Sequence, residues 1–533
     1  IKSFMQGGEI MKKIFLFLTF MGISLGLIFG VRSAIQKLEN EEEVPQEESG
    51  DFAIHELNIP IMEVDSLNPL FTTNKYVSSI LSLIYEPLVA MGKGETLAPM
   101  LATEWAQKDD LNWIVKLRKE VKWHNDSNFT AQDVVFTVNA LRDENLNSIY
   151  KSNVSNIANV EVIDDYSVNF TLLEKDDFFM YQFIFPIMPE YYFKNGGLWD
   201  ENKSNIPVGT GPYQYVTTNY IDNFIQLENN ANWWNNETAP KLNTIYLMKY
   251  PTYGEAIKAY KSAKVDLIFT SMSDWAKKFG TIGNNVYRFE SSVFDTLVPN
   301  TQKALLADSS VRKAILLAIN RENIVSKVFE ANATVTDLPI HTRSKNFLSG
   351  LQSEYDIDKA KQVLMNAGWE NNGKAWQKDG RKLKLTLLVN EENTEQLRSA
   401  EIIKENLNDV NIEVTIRKVN FDKFQKAINS DDFELAFTSF DIKNEMTLLD
   451  LVRSHGISNY ANYVSSKMDE AIGQVEQNYN ESTMQELERI YKDETPYIGL
   501  YFRNNTLLTN KSVKGSIEPT WSNPYANVIT WCK

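Results

Sequence analysis

Between residues 383 and 440 the sequence alternates between the periodicity of a strand and that of a helix. Apolar residues recur at every second position in 383–389 and in 412–416, and an apolar run fills 433–440. The stretches between them, 395–407 and 421–429, carry apolar residues at helical spacing. The order strand, helix, strand, helix, strand predicts a doubly wound α/β unit with a parallel sheet.

Open α/β sheets bind ligands in the crevice beyond the carboxyl ends of their strands. In this unit those ends are Val389-Asn390 and Thr438-Ser439-Phe440-Asp441. The pattern therefore predicts a ligand crevice beyond these two strand ends.

Length and charge narrow the class of protein further. A chain of 533 residues is long enough for more than one hydrophobic core, since single cores stop growing at about 250–300 residues. The formal net charge of −16 argues against binding to nucleic acid or to anionic lipid. Cys532 is the single cysteine, and the four histidines are far apart in sequence, so neither a disulfide framework nor a metal site is indicated.

The N-terminal region is typical of export. Residues 1–10 precede Met11-Lys12-Lys13, which resembles a natural start because a charged segment directly precedes an apolar one. Residues 14–31 are uncharged and almost wholly apolar, so residues 1–34 are expected to be a leader with a signal peptide or a membrane anchor. Residues 35–50 are acidic and are expected to be a solvated linker.

Several short sequence blocks follow one another in a characteristic order. In residues 97–142 the pattern predicts a strand at 113–118, a short strand at 121–124 and a helix that begins after Thr130, with Asp133 three residues later as in a capping box. The other blocks are Leu67-Asn68-Pro69, Tyr85-Glu86-Pro87-Leu88, Gly209-Thr210-Gly211-Pro212-Tyr213, Asp308 with Val311-Arg312-Lys313-Ala314-Ile315, Asn320-Arg321, and Tyr355-Asp356 through Gly368-Trp369.

This set of blocks resembles the family 5 extracellular solute-binding proteins, the receptors of oligopeptide and dipeptide ABC importers. The resemblance implies an α/β, two-lobed periplasmic-binding-protein-like fold of type II, in the large peptide-binding class. It places lobe one at residues 51–296, with an inserted subdomain at about 89–205. Lobe two is then expected at 297–496, and residues 497–533 return to lobe one.

The resemblance also implies candidate ligand contacts. Phe440 stands where peptide-binding members have a tryptophan, and Lys443 stands at or beside the aspartate that pairs with the ligand's α-ammonium group. A lysine would repel an ammonium group and attract a carboxylate, although Asp441 could take over the acidic role. A solvated, non-contacting Lys443 is the alternative.

Other candidates follow from the positions of the lobes in the family. Tyr501, Phe502 and Arg503 lie where the last crossing strand borders the ligand, and Arg503 would suit a carboxylate. The alternative is that the two aromatic residues are core and Arg503 is surface. Asn74 and Tyr76 are expected to contact a peptide main chain, and Trp275 to supply an apolar wall; packing is the alternative for each.

No complete catalytic motif is present, so no catalytic residue, cofactor or resident metal is expected. The resemblance implies a monomeric extracytoplasmic protein, periplasmic in a Gram-negative cell and otherwise tethered or secreted. Its expected partners are a short peptide, the permease subunits of an ABC transporter and, if residues 14–31 are retained, the membrane. Two alternatives stay open: a non-peptide or anionic solute, or a membrane-tethered sensor without transport.

Overall fold

A computed structural model describes residues 55–533 except 93, 95, 201, 202, 204, 236, 238, 281 and 282. The predicted leader at residues 1–34 and the acidic linker at 35–50 lie outside the described residues. Within the described ranges, no helix is both long enough and apolar enough to cross a membrane.

The first lobe is built on two four-stranded sheets. In one, Glu56–Ile61 pairs in parallel with Thr244–Lys249, and the antiparallel strands Phe224–Asn229 and Tyr213–Asn219 follow. The other is antiparallel, in the order Ala102–Asp109, Asn112–Leu117, Ser167–Leu172, Ile157–Asp164, and a pair formed by Val89–Met91 and Leu97–Pro99 lies beside it. The second sheet falls in the range expected for an inserted subdomain, and its buried residues join those of the first sheet in one apolar cluster.

The helix predicted after Thr130 spans Ala131–Arg142. Its Asp133 carboxylate accepts the Thr130 backbone N–H at 2.8 Å, which is half of a capping box. The strand predicted at 121–124 does not form. The backbone N–H of Trp123 donates to the Ser127 carbonyl, and Asp126 has φ +67°, so the segment closes on itself as a turn.

Other helices of the first lobe include Lys75–Leu81, Glu190–Phe193, Tyr253–Lys261 and Trp275–Phe279, and its short 3-10 turns include Lys151–Val154, Phe179–Gln182, Gly197–Trp199 and Val528–Thr530.

In the second lobe, the structure confirms the predicted doubly wound unit. Lys384–Asn390 lies between Glu413–Val419 and Leu435–Asp441 and is parallel to both. The connecting helices are Thr394–Asp409 and Phe421–Asn429. The predicted caps are confirmed too, since the side chains of Asp308, Asn320 and Asp356 each accept a backbone N–H from the first turn of the helix that follows.

The other helices of the second lobe are Ala304–Ala307, Ser309–Ala318, Arg321–Phe329, Ile357–Asn366, Met446–Val452, Ser466–Gln477 and Glu481–Glu494, with a 3-10 turn at Ser349–Leu351. Its small strands are Ala333–Val335, Glu370–Asn371, Trp376–Lys378 and Arg381–Lys382.

Two long antiparallel strands run from one lobe into the other. The first crossing strand is Asn284–Pro299 and the second is Ile498–Asn510. Near their first-lobe ends they pair with each other, and Leu267–Thr270 adds to the second. Near their second-lobe ends the first crossing strand pairs with Leu435–Asp441, which joins it to the parallel sheet.

The pairing of the crossing strands shifts register between Glu290 and Phe294. Side chains from Phe294 onward, and those of 498–502, pack in the apolar clusters of the second lobe. The apolar cluster in which the crossing strands pack therefore changes at about residues 291–293 and 503, and the expected lobe bounds at 297 and 497 stay predictions. A continuous strand carries no sequence signal for the point at which it leaves one core and enters another.

Candidate ligand-binding site

A cavity of about 750 Å³, here called the cleft cavity, opens beside the crossing strands. Most of its wall comes from the first lobe, including the helix Lys75–Leu81 and Tyr150, and from the C-terminal segment around Trp521. The second lobe contributes Asp441 and Lys443, and the register shift contributes Ser292. The cavity thus touches both lobes and the strands that join them, and its size falls within the range usual for small-ligand sites, about 300–1,000 Å³.

Two of the predicted residues, Asp441 and Lys443, line this cavity with exposed side chains. They follow the strand Leu435–Asp441, at the carboxyl end where the α/β pattern predicts a ligand crevice. Lys75 adds a second exposed cation to the wall. The side chains available to a ligand therefore include one carboxylate and two ammonium groups.

Asn74 is the N-cap of the helix Lys75–Leu81 and Tyr76 is its second residue, and the structure shows what each contacts. The Asn74 side chain caps that helix by accepting the Tyr76 backbone N–H at 3.0 Å, and its amide donates to the Glu63 carbonyl. The Tyr76 ring packs edge-on against Phe269, with centroids 5.4 Å apart. Phe440 is half-buried and stacks on Tyr460. None of these three residues lines the cleft cavity.

Trp275, Tyr501 and Phe502 are buried residues of apolar clusters and lie outside the cavity wall. Trp275 is 2% exposed and lies under the Arg288 guanidinium, while Tyr501 packs on Phe329. These aromatic residues pack in the interior, and their expected ligand contacts stay predictions. Sequence periodicity alone allowed each of these residues to face either a ligand or the protein interior. In the structure, side chains from other elements cover them.

Arg503 pairs with two carboxylates of the protein itself, and its expected ligand contact stays a prediction. Its Nε donates to Asp295 Oδ2 at 2.6 Å and its Nη1 to Glu395 Oε2 at 2.8 Å. Burial opposes the positive charge, but the fully buried Asp295 carboxylate and Glu395 outweigh it and raise the pKa of Arg503. The guanidinium fork that would suit a ligand carboxylate is taken by two internal carboxylates.

At the cavity wall, three of the sequence blocks converge in what we call the motif cluster: Glu86, which lines the cavity, and His124 and Gly209-Thr210-Gly211, which do not. The buried Glu86 carboxylate accepts the Thr210 hydroxyl at 2.8 Å and the indole N–H groups of Trp233 and Trp234 at 3.0 and 2.9 Å. Burial raises the pKa of Glu86 to about 7, although these hydrogen bonds act to lower it.

His124 contacts the glycine block at two points. Its Nδ1 accepts the Gly209 backbone N–H at 3.2 Å, and its Nε2 contacts the Gly211 carbonyl at 3.0 Å. One nitrogen faces a donor and the other an acceptor, which is the pattern of a neutral imidazole. Burial lowers the pKa of His124 to about 4.

The residues that sequence reasoning missed are mostly aromatic and polar groups of the cavity wall. They include Tyr150, Trp233, Trp234, Trp521, Asn523 and Tyr525. The sequence signal that could have indicated these residues is the pair of adjacent tryptophans at 233–234 and the aromatic residues of the C-terminal segment. Nothing local to those segments indicates that they meet across a cavity.

Two lobes joined by crossing strands, with a cavity touching both lobes, define a bilobal ligand-binding protein. The comparisons are more specific. The sequence model of the "Bacterial extracellular solute-binding proteins, family 5 Middle" matches residues 96–456, and the chain belongs to this family.

Individual relatives agree in length and fold. The chain is 26% identical over 518 residues to the oligopeptide-binding protein AppA of Bacillus subtilis, covering 93% of this chain and 94% of AppA. The structure of that AppA in complex with a nonapeptide matches with a TM-score of 0.58 at 24% identity, over 89% of this chain and 98% of AppA. A nickel ABC transporter structure from Bacillus halodurans matches with a TM-score of 0.77 at 21% identity, over 90% and 100% of the two chains. The shared fold therefore spans relatives named for different ligands.

Among the described residues, no group of three or more His, Cys, Asp or Glu side chains could hold a metal ion.

Proposed function

We propose that this protein captures short peptides in the cleft cavity and delivers them to the permease of an ABC importer, without catalysing a reaction. The observation that carries the proposal is the cavity itself, which presents Asp441 and Lys443 from the second lobe opposite a polar and aromatic first-lobe wall. A peptide has an ammonium group and a carboxylate, and Asp441 and the two lysines offer a partner for each. The full-length match to an oligopeptide-binding relative supports the same ligand class.

The lobes close around the peptide by bending at residues 291–293 and 503. Few residues connect the lobes there, and the register shift already interrupts regular pairing at this point. Extracytoplasmic delivery by a monomer, tethered or released according to the fate of residues 14–31, completes the proposal.

The first experiment is mass spectrometry of small molecules that co-purify with the protein and are released by denaturation. A mixture of short peptides is the expected result. One defined non-peptide anion would overturn the peptide proposal while leaving the binding role intact.

The anionic alternative has its own supporting observation, since Lys75 and Lys443 give the cavity wall two exposed cations against the one exposed carboxylate of Asp441, while Glu86 also lines the wall but is buried. The substitution Lys443→Asp separates the two cases. It should weaken binding of an anion by about tenfold or more, and it should weaken a peptide less or strengthen it through the ammonium group. Lys467→Asp is the matched control, because Lys467 is an exposed lysine of the same lobe away from the cavity wall. Affinities by isothermal titration calorimetry with the co-purified molecule make the comparison.

A further inference from the structure

His341 occupies a buried position between the cleft cavity and the second crossing strand. Its ring is 4% exposed and stacks on Phe502, with centroids 4.5 Å apart and planes 21° apart. On the other side it faces Trp521, with centroids 6.1 Å apart and planes 4° apart. Phe502 belongs to the second crossing strand and Trp521 to the cavity wall. The imidazole therefore joins the cavity wall to the strand at which the lobes meet.

The two ring nitrogens extend this link to the ligand-facing loop. Nε2 lies 3.1 Å from the carbonyl oxygen of Ile442, the residue between Asp441 and Lys443. The backbone N–H of Ile442 donates to the Ser292 carbonyl at 2.7 Å, at the register shift of the first crossing strand. Nδ1 lies 3.3 Å from Glu290 Oε2 on the same strand. One side chain thus contacts both the loop and the strand that support the second-lobe side of the cavity.

Both atoms that face the ring nitrogens are acceptors. A backbone carbonyl can only accept, and the Glu290 carboxylate already accepts the Thr342 backbone N–H at 2.9 Å and the Thr342 hydroxyl. A neutral imidazole carries a single N–H, so it can satisfy only one of the two acceptors. With Glu290 as a carboxylate, both contacts are hydrogen bonds only when His341 is an imidazolium, and Glu290, 7% exposed, then supplies the opposite charge.

Other charged residues lie close in sequence to His341 and Ile442, and their partners are defined. Arg343 directs its guanidinium to the carbonyls of Arg288 and Pro519, and Glu445 accepts the amide of Asn346 and the hydroxyl of Ser344. Asp441 and Lys443 direct their side chains to the cavity. Glu290 is the carboxylate in direct contact with the ring.

We propose that His341 is a positioning residue of the ligand cleft, which acts as an imidazolium held by Glu290 and fixes the loop at residues 441–443 against the first crossing strand. Loss of its proton leaves a ring lone pair facing either Glu290 or the Ile442 carbonyl, so the loop loosens as the pH rises. The relevance to ligand capture rests on the proposed function, but the charge and the loop order do not require a ligand.

The charge of His341 is measured by NMR on the purified full-length chain with histidine labelled at ¹³Cε1. The sequence has four histidines, and the signal that is lost in His341→Gln assigns the residue. In the unmodified protein at pH 7 we expect an imidazolium signal at His341. Glu290→Gln should lower the pH midpoint of that signal by at least one unit, and Glu354→Gln, at an exposed glutamate, should leave it unchanged. A neutral ring at pH 7, or a midpoint that does not move in Glu290→Gln, would overturn the proposal.

Hydrogen exchange tests the positioning role. At pH 6.5, His341→Ala should speed amide exchange in residues 440–445 by at least tenfold, while the core strand Lys384–Asn390 stays protected. His341→Gln, whose amide can still donate to the Ile442 carbonyl, should restore part of the protection. Unchanged exchange at 440–445 in His341→Ala would contradict the proposal. If that variant fails to fold, the NMR titration of Glu290→Gln still decides it. Absence of a peptide ligand would refute only the proposed function.

Discussion

Two buried clusters in this protein combine a histidine with a glutamate, and they differ in the atoms that meet the two histidine nitrogens. In the motif cluster, His124 lies between a backbone donor at Gly209 and a backbone acceptor at Gly211. In what we call the hinge cluster, which comprises Glu290, His341, Ile442, Phe502 and Trp521, the histidine lies between two acceptors. The first arrangement suits a neutral ring and the second an imidazolium. Burial alone does not decide the charge of a histidine; the atoms that meet its nitrogens do.

The two glutamates also differ in what contacts their carboxyl groups. Glu86 of the motif cluster accepts hydrogen bonds from neutral donors, and burial raises its pKa to about 7. Glu290 accepts from Thr342 and lies in contact with His341. Within lobe one, the raised pKa of Glu86 and the lowered pKa of His124 make stability respond to pH with opposite signs.

The largest effect that tests the comparison is expected from Gly209→Ala, because the motif cluster depends on close backbone contact. A Cβ at Gly209 would lie 1.9 Å from the Ile84 carbonyl oxygen, and the Gly211 N–H donates to that same oxygen at 2.8 Å. Backbone must move, so we expect the free energy of unfolding to fall by about 3 kcal/mol or more in urea denaturation. Gly254→Ala is the control, since the nearest atom to its Cβ would be 3.9 Å away. If Gly209→Ala were as stable as that control, the backbone of the motif cluster would be able to move aside at little cost in free energy.

The next effect concerns Glu86 and pH. Its pKa is raised from 4.5 to about 7 in the folded protein, so the folded state binds this proton more tightly than the unfolded state. The stability that protonated Glu86 contributes is fully present below pH 4.5. It falls by about 3 kcal/mol as the pH rises to 7. Glu86→Gln should lack this loss. The measurement is the difference in unfolding free energy between the unmodified protein and Glu86→Gln at pH 4.5 and pH 8. If the unmodified protein and Glu86→Gln differed by the same unfolding free energy at both pH values, the raised pKa of Glu86 would be contradicted.

The smallest of the three effects has the opposite sign. The pKa of His124 is lowered from 6.5 to about 4, so the folded state binds this proton less tightly. The stability that the neutral ring contributes is fully present above pH 6.5 and is lost as the pH falls to 4. We expect about 2 kcal/mol, below the full value of the shift because the ring keeps some solvent contact. His124→Gln should lack this acid sensitivity, whereas His55→Gln, at an exposed histidine, should retain it. If His124→Gln lost as much stability in acid as the unmodified protein, the lowered pKa of His124 would be contradicted.

What the sequence by itself determined is the local structure and the family. The doubly wound unit at residues 384–441 and the caps at Asp308, Asn320 and Asp356 were all predictable. Strand periodicity, helical periodicity and capping depend on residues within one turn or one strand of each other, so a linear pattern contains them. The order of the motif blocks likewise indicated the family that the sequence model matches.

Only the tertiary structure decided which candidate residues face the cavity. Asp441 and Lys443 do so, whereas Arg503 pairs with Asp295, 208 residues away in sequence. The same holds for Trp521 on the cavity wall and for His341 between Glu290 and Ile442. A period of two assigns a side chain to one face of a strand but not to what covers that face. The covering groups come from segments far apart in the chain, and long-range packing brings them together.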